Sequence, residues 1–365
     1  MTKPIHILQI CNSTSYNDGV LNVILNWHRR MDSTRVQLDY LVLFSVPPTN
    51  SCEKEITSLG GQVYYLNFSW RHPFKFLCNS YHFFKTHRYT TIHSHITHLN
   101  LFFFPLAKMF GTKNIIQHSH LTKWSENKLS GLRNYLMLHA VWSLITHKMA
   151  CSQSAGNAYF GKNFIVANNG IDVKKFRYNP EIRIEKRKEL GLENNFVIGH
   201  VGRFSIQKNH KFLIDIFEQI LKKEPAAKLV VVGDGPLEEY IKSLVKSKNL
   251  QNNVLFLGVC KDVAELYQAF DCFVFPSLYE GLGIVAIEAQ AAGLPCVLAD
   301  TLPHEAFICN YKKLPLGNIT LWAREILKFI DNYKRKDAHP YIIEAGFSSQ
   351  DVALKIQNFY IKLEK

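Results

Sequence analysis

The stretch that decides the fold class is CFVFPSLYEGLGIVAIEAQAAGLPCVLA, residues 272–299. It opens with a short apolar run (272–276) and closes with another (295–299). Between the two runs, apolar positions recur at helical spacing over 282–292. A strand, a helix and a second strand in this order form a βαβ unit, whose two strands run parallel. The stretch therefore predicts part of a parallel sheet covered by helices.

The same alternation extends through most of the chain. Further strands are predicted at 5–11, 37–44, 62–66, 90–95, 113–119, 148–152, 196–202, 228–233 and 254–258. Further helices are predicted near 20–30, 52–59, 74–87, 99–110, 130–145, 153–160, 209–222, 236–248 and 262–269. Short buried strands alternating with helices indicate parallel sheets covered on both faces. We predict an α/β protein with two Rossmann-like, doubly wound parallel sheets facing a cleft.

The polar segment 168–195 interrupts the alternation, and we interpret it as the connection between domains. The predicted domains are residues 1–170 and 171–345. A C-terminal helix within 346–365 is expected to pack back on the first domain.

The composition favours a cytoplasmic protein. No apolar run among the 365 residues reaches the roughly 18 residues of a membrane span. The N-terminal MTKPIHILQIC (1–11) has the pattern of a strand rather than of a signal peptide. The 8 cysteines show no CxxC spacing, which indicates reduced, buried thiols.

The positive charge is concentrated in the first half. Residues 1–180 carry 19 Lys and Arg against 7 Asp and Glu, a net charge of +12 out of +13 for the chain. Such a half is expected to meet an anionic partner, which could be nucleic acid, a membrane surface or a phosphorylated substrate. A basic surface that only promotes solubility is the alternative.

Two carboxylates flank the glycine-rich loop of the opening stretch. Glu280 lies in the loop, and Glu288 lies roughly two turns into the helix, about 8–12 Å along its axis. A helix N-terminus binds anions because its first amides lack intrahelical acceptors. The expected anion-binding amides belong to Gly281, Leu282, Gly283 and Ile284. A diphosphate there would leave each carboxylate to hold the hydroxyls of one ring, a transferred sugar or a ribose. Taken alone, Glu288 could also be an ordinary exposed helical glutamate, although its neighbours are apolar.

Other strand ends carry cations and glycines. Gly202 and Arg203 follow a strand, and Lys208 precedes a helix, which suits a diphosphate clamp. Gly258 ends another strand, where a nucleotide base could lie. The Gly-Asp-Gly of 233–235 lacks the third glycine of a dinucleotide fingerprint and indicates a tight turn, which argues against a dehydrogenase.

Several of these segments together resemble the GT4 family of retaining glycosyltransferases, which have the GT-B fold. The resemblance rests on GRFSIQKNH (202–210), VVGDGPLEEY (231–240), FLG (256–258), PSLYEGLGIVAIEAQAAGLPCV (276–297), NNGID (168–172), HSHLT (118–122) and ACSQSAG (150–156). The similar subgroup makes bacterial exopolysaccharide, capsule or O-antigen units.

The resemblance implies roles for these residues. Glu280 would contact hydroxyls of the donor sugar, and Glu288 would contact the donor ribose. Arg203 and Lys208 would neutralise the donor diphosphate. No metal or other cofactor is expected for the transfer. The expected donor is a nucleoside diphosphate hexose or N-acetylhexosamine, with UDP favoured. The expected acceptor is a glycan on a polyprenyl diphosphate.

In the first half, the resemblance implies donor contacts with less sequence support. Gly19 stands where the family has two glycines, and the neighbouring Asp18 would repel a diphosphate. His95 is the expected histidine facing the donor sugar, because it ends the fourth strand; His93 and His98 are the alternatives. His118 and His120 are expected on the acceptor side.

The expected mechanism is attack on the same face of the sugar. A double displacement needs two carboxylates about 5 Å apart, which is less than the spacing estimated for Glu280 and Glu288. A UDP-sugar epimerase with the same fold is the alternative function. The chain shows no nucleic-acid recognition motif. Residues 123–142 mix cations with aromatic side chains and could form an amphipathic helix at the inner membrane surface, or an ordinary helix packed on the sheet.

Overall fold

The chain forms two compact units. The computed structural model describes residues 3–16, 18–46, 50–69, 71–125, 127–260, 262–330 and 333–364. Unit 1 comprises Met1–Gly170 with Ser348–Lys365, and unit 2 comprises Ile171–Phe347. All eight cysteines are free thiols.

A parallel sheet forms the centre of unit 1. Its strands are β1 (Ile5–Ser13), β2 (Val36–Phe44), β3 (Val63–Tyr65), β4 (Thr91–Ser94), β5 (Asn114–Ser119), β6 (His147–Ala150) and β7 (Ile165–Val166). Their order in the sheet is β3-β2-β1-β4-β5-β6-β7, and every pairing is parallel. The helices of unit 1 are α1 (Gly19–His28), α2 (Glu53–Ser58), α3 (Pro73–Thr86), α4 (Asn100–Met109), α5 (Lys128–His139), α6 (Gln153–Phe160) and α15 (Ser349–Leu363).

Successive side chains of β1 show how helices cover both faces of this sheet. Ile7 packs in one apolar cluster with Val352 and Tyr360 of α15, and Leu8 packs in another with Phe103 of α4. Neighbouring strand residues point to opposite faces, so both clusters need apolar residues from the same strand. The C-terminal helix is therefore part of the core of unit 1.

A second parallel sheet forms the centre of unit 2. Its strands are β8 (Val197–Val201), β9 (Lys228–Val232), β10 (Val254–Gly258), β11 (Cys272–Phe275), β12 (Cys296–Ala299) and β13 (Tyr311–Leu314), in the order β10-β9-β8-β11-β12-β13. The helices are α7 (Val173–Phe176), α8 (Pro180–Glu189), α9 (His210–Leu221), α10 (Glu238–Ser247), α11 (Val263–Ala269), α12 (Ile284–Ala291), α13 (Ile319–Leu327) and α14 (His339–Glu344). Residues Ile206–Lys208 form a single 3-10 turn before α9.

The segment 168–195, interpreted as the connection between domains, also contains the two helices α7 and α8, which the sequence analysis did not predict. Helix α8 begins with the N-cap Asn179, whose side chain accepts from the Glu181 and Ile182 amides, and with Pro180 in its first turn. Its sequence PEIRIEKRKE has no apolar stripe, so the periodicity could not reveal it. The helix is held by charge instead, since Arg187 Nη1 lies 2.9 Å from Asp271 Oδ2.

Other predictions of secondary structure also need correction. The helix expected over 130–145 ends at His139, and a separate 3-10 turn follows at Trp142–Leu144. Strand β13, with the sequence YKKL, was not predicted, because a mostly exposed edge strand lacks the apolar run that marks a buried one. Among the described residues, none of the helices is both long enough and apolar enough to cross a bilayer.

Candidate functional site

The loops after β8 and β11 lie together at the carboxyl edge of the unit 2 sheet. Strand β8 pairs with β9 on one side and with β11 on the other, so the strand order reverses at this point. Ligands of doubly wound sheets bind outside the carboxyl ends of the strands at such a reversal. This edge is therefore the candidate site.

Hydrogen bonds fix the two loops to each other. The Leu278 amide donates to the Gln207 carbonyl at 2.8 Å, and Gln207 Nε2 donates to the Tyr279 carbonyl at 2.9 Å. Asn209 Nδ2 donates to the Pro276 carbonyl at 3.2 Å. These bonds hold the 3-10 turn of the first loop beside the glutamate loop.

The structure brings Lys208 and Glu280 into contact. Lys208 Nζ donates to Glu280 Oε1 at 2.6 Å, and Ser277 Oγ donates to the same oxygen at 2.6 Å. Glu280 is 6% exposed, and the Lys208 ammonium lies 4.7 Å from the centre of the Phe275 ring. An ammonium has three N–H groups, so Lys208 can keep this bond and also donate to an anion. The two residues thus form a fixed, partly buried ion pair at the sheet edge.

Arg203 is exposed at the same strand end. Its guanidinium forms no hydrogen bond or ion pair with any residue in the described part of the chain. The neighbouring Gly202 lies against Lys208, since a Cβ on this glycine would be 3.2 Å from Lys208 Cδ. Gly233 approaches Gly202 so closely that its own Cβ would lie 2.3 Å from the Gly202 carbonyl oxygen. The Gly-Asp-Gly turn therefore packs two strand ends together.

Helix α12 begins slightly later than the sequence predicted. Its first residue is Ile284, and Gly283 is the N-cap in a left-handed conformation with φ +81°. Glycine adopts this conformation without the strain that a Cβ causes. Gly281 and Leu282 therefore belong to the buried loop rather than to the helix. The first helical amides still form an N-terminus of the kind that attracts anions.

Glu288 lies on α12 and contacts α11. Tyr267 Oη lies 3.0 Å from Glu288 Oε2, to which it donates a hydrogen bond. Burial raises the pKa of Glu288 from 4.5 to about 7, while the Tyr267 bond and the charge of Lys175 oppose the rise. This carboxyl group is therefore poised to change its charge near neutral pH.

The remaining glycines of the predicted donor site lie elsewhere. Gly258 ends β10 with φ +63°, and its carbonyl accepts from the Gly233 amide at 2.8 Å. Gly19 is the first residue of α1 in unit 1. The Asp18 side chain caps this helix by accepting from the Val20 amide at 2.9 Å and from the Leu21 amide at 3.2 Å. A carboxylate thus already occupies the N-terminus where Gly19 was expected to meet a phosphate.

Four histidines of unit 1 form one largely buried cluster, namely His93, His95, His118 and His120. His95 Nε2 lies 2.9 Å from Gln9 Oε1, and His95 Nδ1 lies 2.8 Å from His120 Nε2. His93 Nε2 lies 3.1 Å from His118 Nδ1, and the rings of His118 and His120 stack with centroids 4.2 Å apart. Both ring nitrogens of His95 are therefore engaged within the protein.

Burial keeps these histidines neutral. It lowers the pKa values of His93, His95 and His118 far below 6.5, and the neighbouring histidines lower them further. Burial lowers the pKa of His120 to about 3. The alternative His98 lies apart against Phe68, with ring centroids 6.5 Å apart.

Sequence reasoning missed two histidines beneath Lys208. His200 Nδ1 bonds to the Val274 carbonyl at 2.8 Å, and His200 Nε2 is buried without a partner among the described residues. His210 stacks on Phe204 with centroids 4.3 Å apart. Burial lowers the pKa of His200 to about 4, so this ring adds no charge at neutral pH. Their signal in the sequence was weak, because one lies inside an apolar strand and the other opens a helix.

Comparisons with known proteins cover the whole chain. The model of the family described as glycosyl transferases group 1 matches residues 182–345. EpsF of Bacillus subtilis (strain 168), which is named as a glycosyltransferase, is 31% identical over 100% of this chain and 97% of its own length.

Two further proteins are similar over nearly their whole length. The UDP-Gal:alpha-D-GlcNAc-diphosphoundecaprenol alpha-1,3-galactosyltransferase of Escherichia coli is 24% identical over 94% of each chain. The crystal structure of Anabaena Alr3699/HepE in complex with UDP and glucose has a TM-score of 0.80 at 20% identity, covering 98% of this chain and 100% of that one. This last likeness shows the fold alone.

Proposed function

Since the chain belongs to the family of group 1 glycosyl transferases, we propose that it transfers a hexose or N-acetylhexosamine from a nucleoside diphosphate sugar to a glycan. The protein is a transferase, and its two parallel sheets have the GT-B fold predicted from the sequence. The pathway is the synthesis of bacterial surface polysaccharide. The observation that carries the proposal is the Lys208–Glu280 pair beside the start of α12 at the strand-order reversal.

The donor diphosphate is proposed to lie against positive groups of unit 2. Lys208 supplies one ammonium, Arg203 supplies an exposed guanidinium, and the first amides of α12 supply the positive end of a helix dipole. Glu280 is then placed to accept from hydroxyls of the transferred sugar, and Glu288 from hydroxyls of the ribose. These positive groups oppose the negative charge of the diphosphate, and the proposed transfer uses no metal cofactor. UDP is the favoured nucleotide, because HepE was solved with UDP and the E. coli relative is named for UDP-Gal.

The proposed transfer retains the configuration at the anomeric carbon. The bond from this carbon to the β-phosphate oxygen breaks, and its electron pair stays on the phosphate. The acceptor hydroxyl attacks on the same face, forms the new carbon–oxygen bond and gives its proton to a β-phosphate oxygen. Lys208 and the helix amides stabilise the negative charge that develops on the leaving group, which is the largest catalytic term in many enzymes.

The acceptor is proposed to be a glycan on a polyprenyl diphosphate at the cytoplasmic face of the inner membrane. The name of the E. coli relative contains such an acceptor. The net charge of +12 over residues 1–180 suits an anionic lipid surface. We propose that the first half of the chain binds this surface peripherally.

Donor binding gives the direct test of the proposed function. A panel of UDP-, GDP- and dTDP-sugars is expected to raise the melting temperature most for one UDP-hexose. A ligand at about 100 times its Kd adds roughly 2.7 kcal/mol, which is a rise of roughly 5–10 °C for a domain of this size. Differential scanning fluorimetry measures the shift. No shift with any sugar nucleotide would contradict the proposal, and conversion of the donor to its epimer without an acceptor would favour the epimerase alternative.

Helix α5 provides a second test, directed at the membrane surface. Leu129, Leu132 and Leu136 recur along this helix and are 79%, 57% and 57% exposed, and the exposed Arg133 lies among them. Trp124, which precedes the helix, is partly buried, and its ring stacks on Tyr159 with centroids 4.0 Å apart. The leucines are therefore the apolar anchors to test.

We expect the protein to float with vesicles that contain phosphatidylglycerol and to dissociate at high salt. Leu132→Glu with Leu136→Glu should weaken the binding roughly tenfold or more, because each buried leucine contributes about 1.5–3 kcal/mol. The matched control is Leu354→Glu on α15, which is 53% exposed. Equal flotation of all three proteins would remove α5 from the membrane contact.

A further inference from the structure

Two identical tripeptides lie side by side in unit 1. His-Ser-His occurs at 93–95 at the end of β4 and at 118–120 at the end of β5. The two strands pair in parallel, with His93 opposite Ile116. Continuing this register sets His95 beside His118. Because the strand period is two residues, both histidines of each tripeptide face the same side of the sheet. The fold thus collects four imidazole rings on one face.

Three of these rings converge on one point. His93, His95 and His118 are buried, and each offers one ring nitrogen within 4.8 Å of the others. His93 Nε2 and His118 Nδ1 are 3.1 Å apart. Two nitrogen ligands of a tetrahedral Zn²⁺ at about 2.0–2.1 Å are themselves about 3.3–3.4 Å apart. The spacing of this one pair is therefore close to that of two ligands of one ion.

The outer nitrogens of two rings are held by oxygen atoms. His93 Nδ1 lies 2.6 Å from the Tyr360 hydroxyl, and His95 Nε2 lies 2.9 Å from Gln9 Oε1. Metal-binding histidines usually bond their second nitrogen to an oxygen, which fixes the ring and its tautomer. The two outer bonds leave His93 Nε2 directed at His118 and His95 Nδ1 directed at His120, whose Nε2 lies 2.8 Å away, so a bound ion would replace both of these contacts.

Hydrogen bonds alone do not satisfy the cluster. His118 Nε2 is buried in a residue that is 1% exposed, and it has no hydrogen-bond partner among the described residues. If His118 Nδ1 accepts from His93, the proton of the neutral His118 ring is on Nε2. This Nε2–H group then lacks an acceptor. A buried donor without an acceptor costs free energy. A cation bound to His118 Nε2 would satisfy this nitrogen, whereas one bound to His118 Nδ1 would replace the His93–His118 bond.

We propose that His93, His95 and His118 form a binding site for a divalent transition metal ion of the Zn²⁺ type. Neutral imidazole nitrogens select ions such as Zn²⁺, Co²⁺, Ni²⁺ and Cu²⁺ over Mg²⁺ and Ca²⁺. The site is structural: through its ligands and their oxygen partners it ties β4 and β5 to β1 and α15. The inference does not rest on the proposed transfer, whose groups lie in unit 2.

The test is a titration of the tag-free, full-length protein with Co²⁺ after treatment with a chelator. One equivalent is expected to bind with the visible absorption of tetrahedral cobalt, and Zn²⁺ is expected to displace it. Zn²⁺ at about 100 times its Kd should raise the melting temperature by roughly 5–10 °C. Neither reading depends on enzyme activity.

Three variants locate the ion. His93→Gln with His118→Gln should lose the tightly bound equivalent. Tyr360→Phe keeps the packing and removes one outer bond, so its metal affinity should fall roughly 10–100-fold. His28→Gln is the matched control, since His28 is also buried in unit 1 and lies outside the cluster; it should bind like the native protein.

Two results would overturn the inference. The first is the absence of tetrahedral cobalt absorption in the native protein. This measurement needs no variant, so it holds even if the double variant fails to fold. The other is unchanged affinity in both Tyr360→Phe and the double variant, which would place the ion on other histidines.

Discussion

Lys208→Ala is expected to lower the turnover of sugar transfer by about 10²–10³-fold, the usual effect of removing one group that stabilises a developing anion. Lys208 is the only cation of the site whose position the structure fixes through a bond to another described site residue, Glu280. Its loss removes a positive charge that stabilises the β-phosphate oxygen when the bond to the anomeric carbon breaks. The effect should therefore fall on kcat more than on donor affinity. Transfer of labelled sugar from the best donor of the panel to extractable lipid measures the turnover.

The control for this variant must separate lost catalysis from lost structure. Lys211→Ala, on the same helix-turn segment, removes an exposed lysine paired with Asp215 at 3.2 Å and should leave turnover unchanged. Lys208→Ala also removes the Lys208 partner of the Glu280 carboxylate. Adding Glu280→Gln removes the charge of that carboxylate, so recovery of turnover in the double variant would mean that Lys208 serves only Glu280. Near-normal turnover of the single variant would exclude Lys208 from the diphosphate site.

The stability of Glu288→Gln relative to the native chain is expected to be roughly 3 kcal/mol greater at pH 8 than at pH 4. Burial raises the pKa of Glu288 from 4.5 in the unfolded chain to about 7 in the fold. Between these values the folded state binds the extra proton. The contribution of this proton to the stability of the native fold is therefore complete below pH 4.5 and is lost as the pH rises through 7. Glutamine carries no charge at either pH, and it can still accept from Tyr267.

Urea unfolding of both proteins from pH 4 to pH 8 measures the difference in their free energies of unfolding. The contributions of the other titrating groups are the same in both proteins and cancel in this difference. Tyr267→Phe provides the second variant. It removes the hydrogen bond that opposes the rise in the pKa of Glu288, so this pKa should rise further. The loss of stability with increasing pH should then continue to a higher pH than in the native protein. A constant difference between Glu288→Gln and the native protein across the range would show that Glu288 stays ionised in the fold.

Local patterns in the chain were enough to predict the two parallel sheets. Runs such as KLVVV and CFVF must be apolar throughout because both faces of each strand are covered. The same patterns placed Lys208 and Glu280 on loops at strand ends. They failed at α8, whose polar helix is fixed by Arg187 and Asp271, 84 residues apart in the chain.

The sequence by itself determined the fold class and the loops on which charged side chains stand, because strand and helix periodicity depend on residues near one another in the chain. Only the tertiary structure decided which of these side chains meet. The Lys208–Glu280 bond depends on β8 pairing with β11, and the contact between His93 and His118 depends on the register of β4 and β5. Strand order and register are set by the packing of the whole sheet, so no local pattern contains them.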